Sequence, residues 1–196
     1  MTIEPLILDG RCIRLEPLSK SHHAALCEIG LDPDLWTLIP YRVTTPEEML
    51  GYIRSALEAQ QAGTALPFVT IERATGRVVG STRFMNIDKP NRRVEIGSTW
   101  LAKPWRRTAI NTEAKYLMMK HAFEVLGCIR VELKTDALNQ QSRAAILRIG
   151  AREEGILRSH MITWTGRRRD SVYFSVIEAE WPGVREKLEA KLAPKP

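Results

Sequence analysis

The chemistry available to this chain is concentrated between residues 92 and 150. There, the run Glu95-Ile96-Gly97-Ser98-Thr99-Trp100-Leu101 leads into the basic loop Arg106-Arg107-Thr108-Ala109-Ile110-Asn111-Thr112. An apolar strand feeding a basic loop, with Asn111 placed to cap the next helix, aims backbone N–H groups and two arginines at one point. A chain without a metal can hold a pyrophosphate in this way. Glu95 lies inside that apolar strand, where a carboxylate is costly unless it is paired or useful. It is either a general base or one half of an ion pair with Arg83, Arg93 or another basic side chain. Further on, Asn139-Gln140-Gln141-Ser142 opens a second helix, with Asn139 as its N-cap and Ser142 as a hydroxyl in its first turn.

The surrounding pattern supplies the elements that must position these groups. A strand is expected at Ile13 to Glu16 and a helix from about Lys20 to Ile29, capped by Ser19. Thr45-Pro46-Glu47-Glu48 starts a helix reaching about Gln61, with a cap, a first-turn proline and two acids. Pro67 to Glu72 and Val78 to Ile87 form a hairpin across Ala74-Thr75-Gly76. Val94 to Leu101 is the next strand. The helix from Asn111 carries two apolar stripes and should pack tightly on a sheet. Arg130 to Thr135 is a strand, and the helix capped by Asn139 ends at Gly150. A last hairpin, Glu154 to Trp164 with Arg169 to Ile177, precedes a helix from Trp181 to about Leu192. The order β-α-α-β-β-β-α-β-α-β-β-α predicts an α/β fold with a central mixed, mostly antiparallel twisted sheet flanked by helices. No GxGxxG follows the first strand, which argues against a dinucleotide-binding fold.

Composition narrows the classes. The 196 residues suit one domain over residues 1–196, and 44% hydrophobic with 27% charged residues excludes a disordered chain. No apolar run is long enough to span a bilayer, and the N-terminus lacks a signal-peptide pattern. Three cysteines without metal spacing suggest reduced thiols in a cytoplasmic protein and no metal site. The net charge of +6 favours an anionic ligand. The clusters at Arg92-Arg93 and Arg167-Arg168-Arg169 read equally well as solvated loop ends. No aromatic-interleaved RNA-binding strand accompanies them, so nucleic acid is a weakly supported partner. His121 and Cys128 are expected in the core.

Taken together, the strand, anion loop, long helix, second strand and second capped helix resemble the acyl-CoA-binding core of the GNAT superfamily of N-acetyltransferases. The Asn139-x-x-Ser142 opening, Gly150 to Arg158 and Arg169 to Ser175 are similar to its RimJ/RimL-type branch, which acts on protein N-termini, and its relatives. The resemblance covers nearly the whole chain. It implies the GNAT fold and acetyl-CoA-dependent transfer to a primary amine, a protein N-terminus or a small molecule, in a ternary complex. It implies that the coenzyme pyrophosphate meets the loop from Arg106 through Thr112 and that the pantetheine arm pairs with Ser98 to Leu101, Trp100 and Leu101 included. Asn139 and Ser142 are then coenzyme contacts, Ser142 the acid for the leaving thiolate, and Glu95 the base. Ala109 departs from the family's glycine, which keeps a catalytically silent acyl-CoA-binding module as the alternative. Trp36, Tyr41, His160 and Trp164 are candidate acceptor-lining residues. A homodimer is compatible with the sequence, which does not specify the acceptor.

Overall fold

The turn at Gly10 reverses the chain between a two-residue strand, β1 (Leu8–Asp9), and β2 (Ile13–Pro17). The computed structural model describes Met1 and residues 3–193, and among these the sheet has eight strands in the order β1-β2-β3-β4-β5-β6-β8-β7. The strands after β2 are β3 (Leu66–Glu72), β4 (Val78–Asp88), β5 (Arg93–Leu101), β6 (Arg130–Asp136), β7 (Arg152–Ile162) and β8 (Arg168–Ile177). The helices are α1 (His23–Gly30), α2 (Pro46–Gln61), α3 (Ala109–Lys120), α4 (Gln140–Arg148) and α5 (Trp181–Leu192). β5 and β6 pair in parallel, and the other neighbours pair antiparallel. This is the expected mixed α/β sheet with one additional short strand.

Alternation along the strands divides the core into two layers. Phe68, Phe84, Val94, Ile96, Val131 and Phe174 face a layer containing Met118 of α3 and Trp181 and Leu188 of α5. Val69 and Trp100 face the other way, toward Leu26 of α1 and Met49, Tyr52 and Ile53 of α2. α2 starts as its sequence dictates, with Thr45 Oγ1 accepting from Glu48 N. α3 continues past Lys120 into a wide π turn, His121–Val125, before β6.

Glu113 fixes α3 against the first strands. Its carboxylate accepts the backbone N–H groups of Arg11, Cys12 and Ile13 at 2.9, 2.7 and 2.9 Å. Gly10 is needed there, because a β-carbon would stand 2.7 Å from Glu113 Cδ. Glu113→Ala should cost about 2 to 3 kcal/mol, since it leaves three amide donors around a buried point without an acceptor. Chemical denaturation of both proteins measures it, and a loss under 0.5 kcal/mol would show that water replaces the carboxylate.

Candidate active site

The central gap lies between β5 and β6. Their pairing covers only Arg93–Glu95 against Arg130–Glu132. Beyond Glu95, β5 stays with β4, but Ser98 adopts φ 46° and the β4 register shifts between Ser81 and Arg83. β6 instead follows β8 as far as Asp136. The edge of Ile96–Leu101 that faces β6 is therefore open, and its N–H and C=O groups can pair with an added extended chain. Trp100 and Leu101 lie on that edge through their backbone, while the Trp100 ring is buried against α1 and α2.

The basic loop is built back onto the end of this strand. Arg106 Nε donates to the Leu101 carbonyl at 3.1 Å, and Lys103 Nζ sits 2.9 and 2.8 Å from Asp32 and Asp34. Thr108, not Asn111, caps α3: its Oγ1 accepts from Ile110 N at 3.3 Å and donates to Trp105 O at 2.8 Å. Asn111 is half-buried inside the first turn and Thr112 is buried behind it. Either threonine or asparagine can cap a helix. The left-handed φ of 62° at Arg107 decides the matter, because it turns the chain into helix two residues after itself. Arg107, Thr108 and Ala109 are exposed at a helix start whose first N–H groups lack intrahelical partners. A cleft of about 490 Å³ lined by Arg11, Cys12, Arg73, Thr108, Ala109 and Ile110 opens beside them.

The left-handed position of the loop is Arg107, and Ala109, which stands where the family has glycine, is the first helical residue and does not need a positive φ. On the expectation from the resemblance that this loop meets the coenzyme, Ala109→Gly should leave coenzyme affinity within about twofold, since the helix-start position does not require glycine. Calorimetric titration with coenzyme A checks this, and a tenfold loss would mean that the loop does not meet the coenzyme as drawn.

Glu95 is 2% exposed and lies on the α1–α2 face of the sheet. Its Oε2 accepts from Asn86 Nδ2 at 2.7 Å and from Lys134 Nζ at 3.0 Å. Neither arginine considered from sequence is the partner, because Arg93 binds Asp88 and Glu132 while Arg83 points at Tyr52. Lys134 was legible only through register: it lies two residues past Glu132, which stands opposite Glu95, and so shares its face. Glu95 Oε1 makes no hydrogen bond among the described residues and sits over Gly97, where a β-carbon would come within 3.0 Å of it. The carboxylate thus has one anchored oxygen and one that makes no hydrogen bond among the described residues, and the missing β-carbon of Gly97 leaves room for that oxygen and for Met85 Sδ. On α4, Asn139 Oδ1 accepts from Ser142 N at 2.9 Å, the expected cap. The Ser142 hydroxyl is half-buried and unbonded among the described residues.

The α1–α2 side of the gap is walled by aromatic rings. Trp36, Tyr41, Tyr52 and Trp100 lie with centroids 5.5 to 6.5 Å apart. Trp36 is fully buried and donates its indole N–H to Gly30 O, so it braces this wall from behind rather than lining a pocket. Tyr41 faces Tyr52 and Arg83, and burial pushes its phenol up, with Tyr52 beside it adding to the effect. Trp164, in the β7–β8 turn, donates to Trp36 O at 3.1 Å and lies under the Arg42 guanidinium. It clasps that turn to the segment before α2. His160 is exposed on β7, bonded to Ser171 Oγ and set edge-on to Tyr173. Burial and the charge of Lys134 lower its pKa.

On the other face, Lys115 of α3 lies beneath the bend in β5. Its Nζ donates to Thr99 Oγ1 at 2.6 Å and to Thr82 Oγ1 at 3.3 Å, and it has no carboxylate partner among the described residues. Burial lowers its pKa to about 7. No sequence pattern marked it. His121 packs against Phe84 at the start of the π turn, and Cys128 is buried with its thiol pushed up to about 11 by burial. Arg93 is paired with acids, and Arg167 and Arg169 flank the buried Asp136, so these clusters do not form an uncompensated basic stripe. Among the described residues, no helix is long and apolar enough to cross a membrane.

The family described as Acetyltransferase (GNAT) domain matches residues 13–152. YdaF of Bacillus subtilis (strain 168), provisionally named a ribosomal N-acetyltransferase, is 37% identical over 55% of this chain. That match spans 58% of the relative, less than two thirds of its length. A GCN5-related N-acetyltransferase from Brucella melitensis superimposes with a TM-score of 0.88 at 35% identity, covering 98% of this chain and 87% of that one. Mycobacterium smegmatis RimJ in complex with CoA-disulfide gives 0.80 at 25% identity, covering 96% and 93%.

Proposed function

The chain belongs to the GNAT family of N-acetyltransferases, in its RimJ/RimL-type branch, and from that premise we propose that it moves an acetyl group from acetyl-CoA to a primary amine across the β5–β6 gap. The observation that carries this reading is the open backbone edge of Ile96–Leu101 leading directly to the basic start of α3. The fit to the coenzyme is chemical as well as spatial. Arg106, Arg107 and the first-turn N–H groups of α3 are donors for a pyrophosphate. The strand edge offers alternating donors and acceptors to a pantetheine arm. Asn139 and Ser142 face the same coenzyme from α4.

Acetyl-CoA, when bound, supplies the thioester. The chain's own groups do the rest. The acceptor reaches the gap from the α1–α2 side and must lose a proton before its nitrogen can attack. Glu95 takes that proton through its unanchored Oε1, directly or by way of a water. A β5 backbone N–H at the bend polarises the carbonyl. The new N–C bond forms as the C–S bond breaks, the nitrogen gives up its second proton to solvent as the amide forms, and sulfur receives a proton from solvent directly or through the Ser142 hydroxyl, which solvent reprotonates. Cytoplasmic operation and a protein N-terminus or small-molecule amine as acceptor belong to this same reading.

Acetyl-CoA should raise the melting temperature. At a hundredfold excess over its dissociation constant, mass action gives about 2.7 kcal/mol, or roughly 5 to 10 °C for a domain of this size. A thermal titration, followed by thiol release with a panel of amines, tests the reading. No shift at millimolar acetyl-CoA would end it, and a shift without any turnover would leave a silent coenzyme-binding module.

A further inference from the structure

With Glu95 held by Lys134, the Arg83 guanidinium has no carboxylate within ion-pair distance among the described residues. Arg83 stands opposite Gly97 on β4, and its guanidinium lies 5.0 Å over the Tyr52 ring. Its Nε is buried without a hydrogen-bond partner. Two further buried polar atoms nearby share that condition: Tyr41 Oη and Trp100 Nε1, the latter on a residue only 4% exposed. The proton of the remaining phenol is committed, since Tyr52 Oη donates to Ser81 Oγ at 3.0 Å and Ser81 donates onward to Phe68 O; its oxygen is left as a neutral acceptor beside Arg83 and does not balance the guanidinium charge. Arginine and tryptophan can only donate, and tyrosine can donate. Buried polar groups are satisfied in the great majority of native structures, so several donors left open along one wall call for an acceptor from outside the chain. The wall carries one unbalanced positive charge and is otherwise flat and aromatic. Those features suit a planar monoanion gripped by a guanidinium fork better than a compact polyanion.

We infer that the acceptor is a primary amine bearing a carboxylate, held by Arg83 with Tyr41 and Trp100 while its amine faces Glu95. The inference rests on the reading of this gap as the acceptor side of an acetyltransferase. The spacing is suitable. Arg83 is paired with Gly97 and Met85 with Glu95, so the two charged residues share a face two residues, about 7 Å, apart along the strand. An amine and a carboxylate separated by a few bonds span that distance. The carboxylate has two possible sources, a free amino acid or an acidic side chain beside a peptide N-terminus.

The test uses matched pairs: L-phenylalanine and L-methionine against their carboxamides, and the C-terminally amidated dipeptides Ala-Asp against Ala-Asn. The carboxamide of an amino acid has the more acidic ammonium, so amine reactivity alone would favour it. We expect the acid of at least one pair to be preferred by about 10- to 100-fold in kcat/KM, mostly through KM. The pair showing the preference identifies the source. Arg83→Met should bring that ratio close to one, and Arg83→Lys should keep part of it. Circular dichroism and acetyl-CoA titration establish that each variant is folded. If Arg83→Met does not fold, the parent ratio and Arg83→Lys still decide. Calorimetry of the coenzyme-A-saturated parent with the N-acetylated acids provides a readout independent of turnover. A parent ratio near one, a ratio that survives in Arg83→Met, or no binding of any carboxylated probe overturns the inference. Acetylation of uncharged amines without acid preference would sink this inference alone, whereas failure to bind acetyl-CoA would sink the reading beneath it.

Discussion

Glu95→Gln should lower kcat by about 10²- to 10⁴-fold while leaving acetyl-CoA affinity close to that of the parent, the loss expected when a general base is removed. Glutamine keeps the shape and can still accept from Asn86 and Lys134 through its carbonyl oxygen. It cannot take the amine's proton at Oε1, the oxygen that is unanchored over Gly97. The deficit should shrink as pH rises, because more of the acceptor is then already neutral. Ser142→Ala should cost about tenfold or less, since water can protonate a thiolate. The competing account makes Glu95 purely structural, one half of the ion pair with Lys134. That account expects Lys134→Met to reduce activity and melting temperature as much as Glu95→Gln does. A base role expects Lys134→Met to retain far more activity than Glu95→Gln. pH–rate profiles of the three variants separate the two accounts, and a Glu95→Gln enzyme at the parent's rate at pH 7 would exclude Glu95 as the base.

Lys115→Met should stabilise the protein by about 2 to 4 kcal/mol at pH 7. Burial drops the lysine from 10.5 to about 7, and that gap corresponds to a folding penalty on the order of 4 kcal/mol at neutral pH. The unfolded chain binds the proton more tightly than the native one, so stability rises with pH between about 7 and 10.5. Below about 7 the penalty is complete and constant. Methionine fills a similar volume, and Thr82 and Thr99 keep their mutual hydrogen bond of 2.7 Å. Denaturation of parent and variant from pH 6 to 10 should show the difference shrinking as pH rises. A variant less stable than the parent at pH 7 would show that the two threonine contacts outweigh the cost of burial. Loss of turnover in a stabilised variant would show that Lys115 holds the bend in β5 at some expense to the fold.

Local signals served well where a single stretch decides its own structure. The Thr45-Pro46 helix start, the hairpin at Gly76 and the Asn139 cap all formed as their residues dictate. The start of α3 lay between two competent caps, Thr108 and Asn111. The deciding features were the backbone of Arg107 and the reach of Arg106 back to Leu101, neither of which has a sequence pattern. Contacts between distant segments were the least legible. Glu113 caps amides about a hundred residues away, and Lys115 meets threonines on two strands of the sheet. The polar residue at 113 and the lysine at 115 looked like ordinary members of an amphipathic helix. The carboxylate at 95 was readable because its strand is apolar. Its partner became readable only once β5 and β6 were known to run parallel. Trp36 shows the opposite failure, since an aromatic residue in an irregular segment looked like a pocket wall and proved to be core.

The coenzyme-bound crystal structure is the most direct test of the central claim that the β5–β6 gap is an acetyl-transfer site. It should show the pyrophosphate within hydrogen-bonding distance of backbone N–H groups between Arg107 and Thr112. The pantetheine arm should be paired to the Ile96–Leu101 edge, with the sulfur between Ser142 and the face that carries Glu95. Coenzyme seated on any other surface, or an Ile96–Leu101 edge closed by β6 while the coenzyme is bound, would contradict the account.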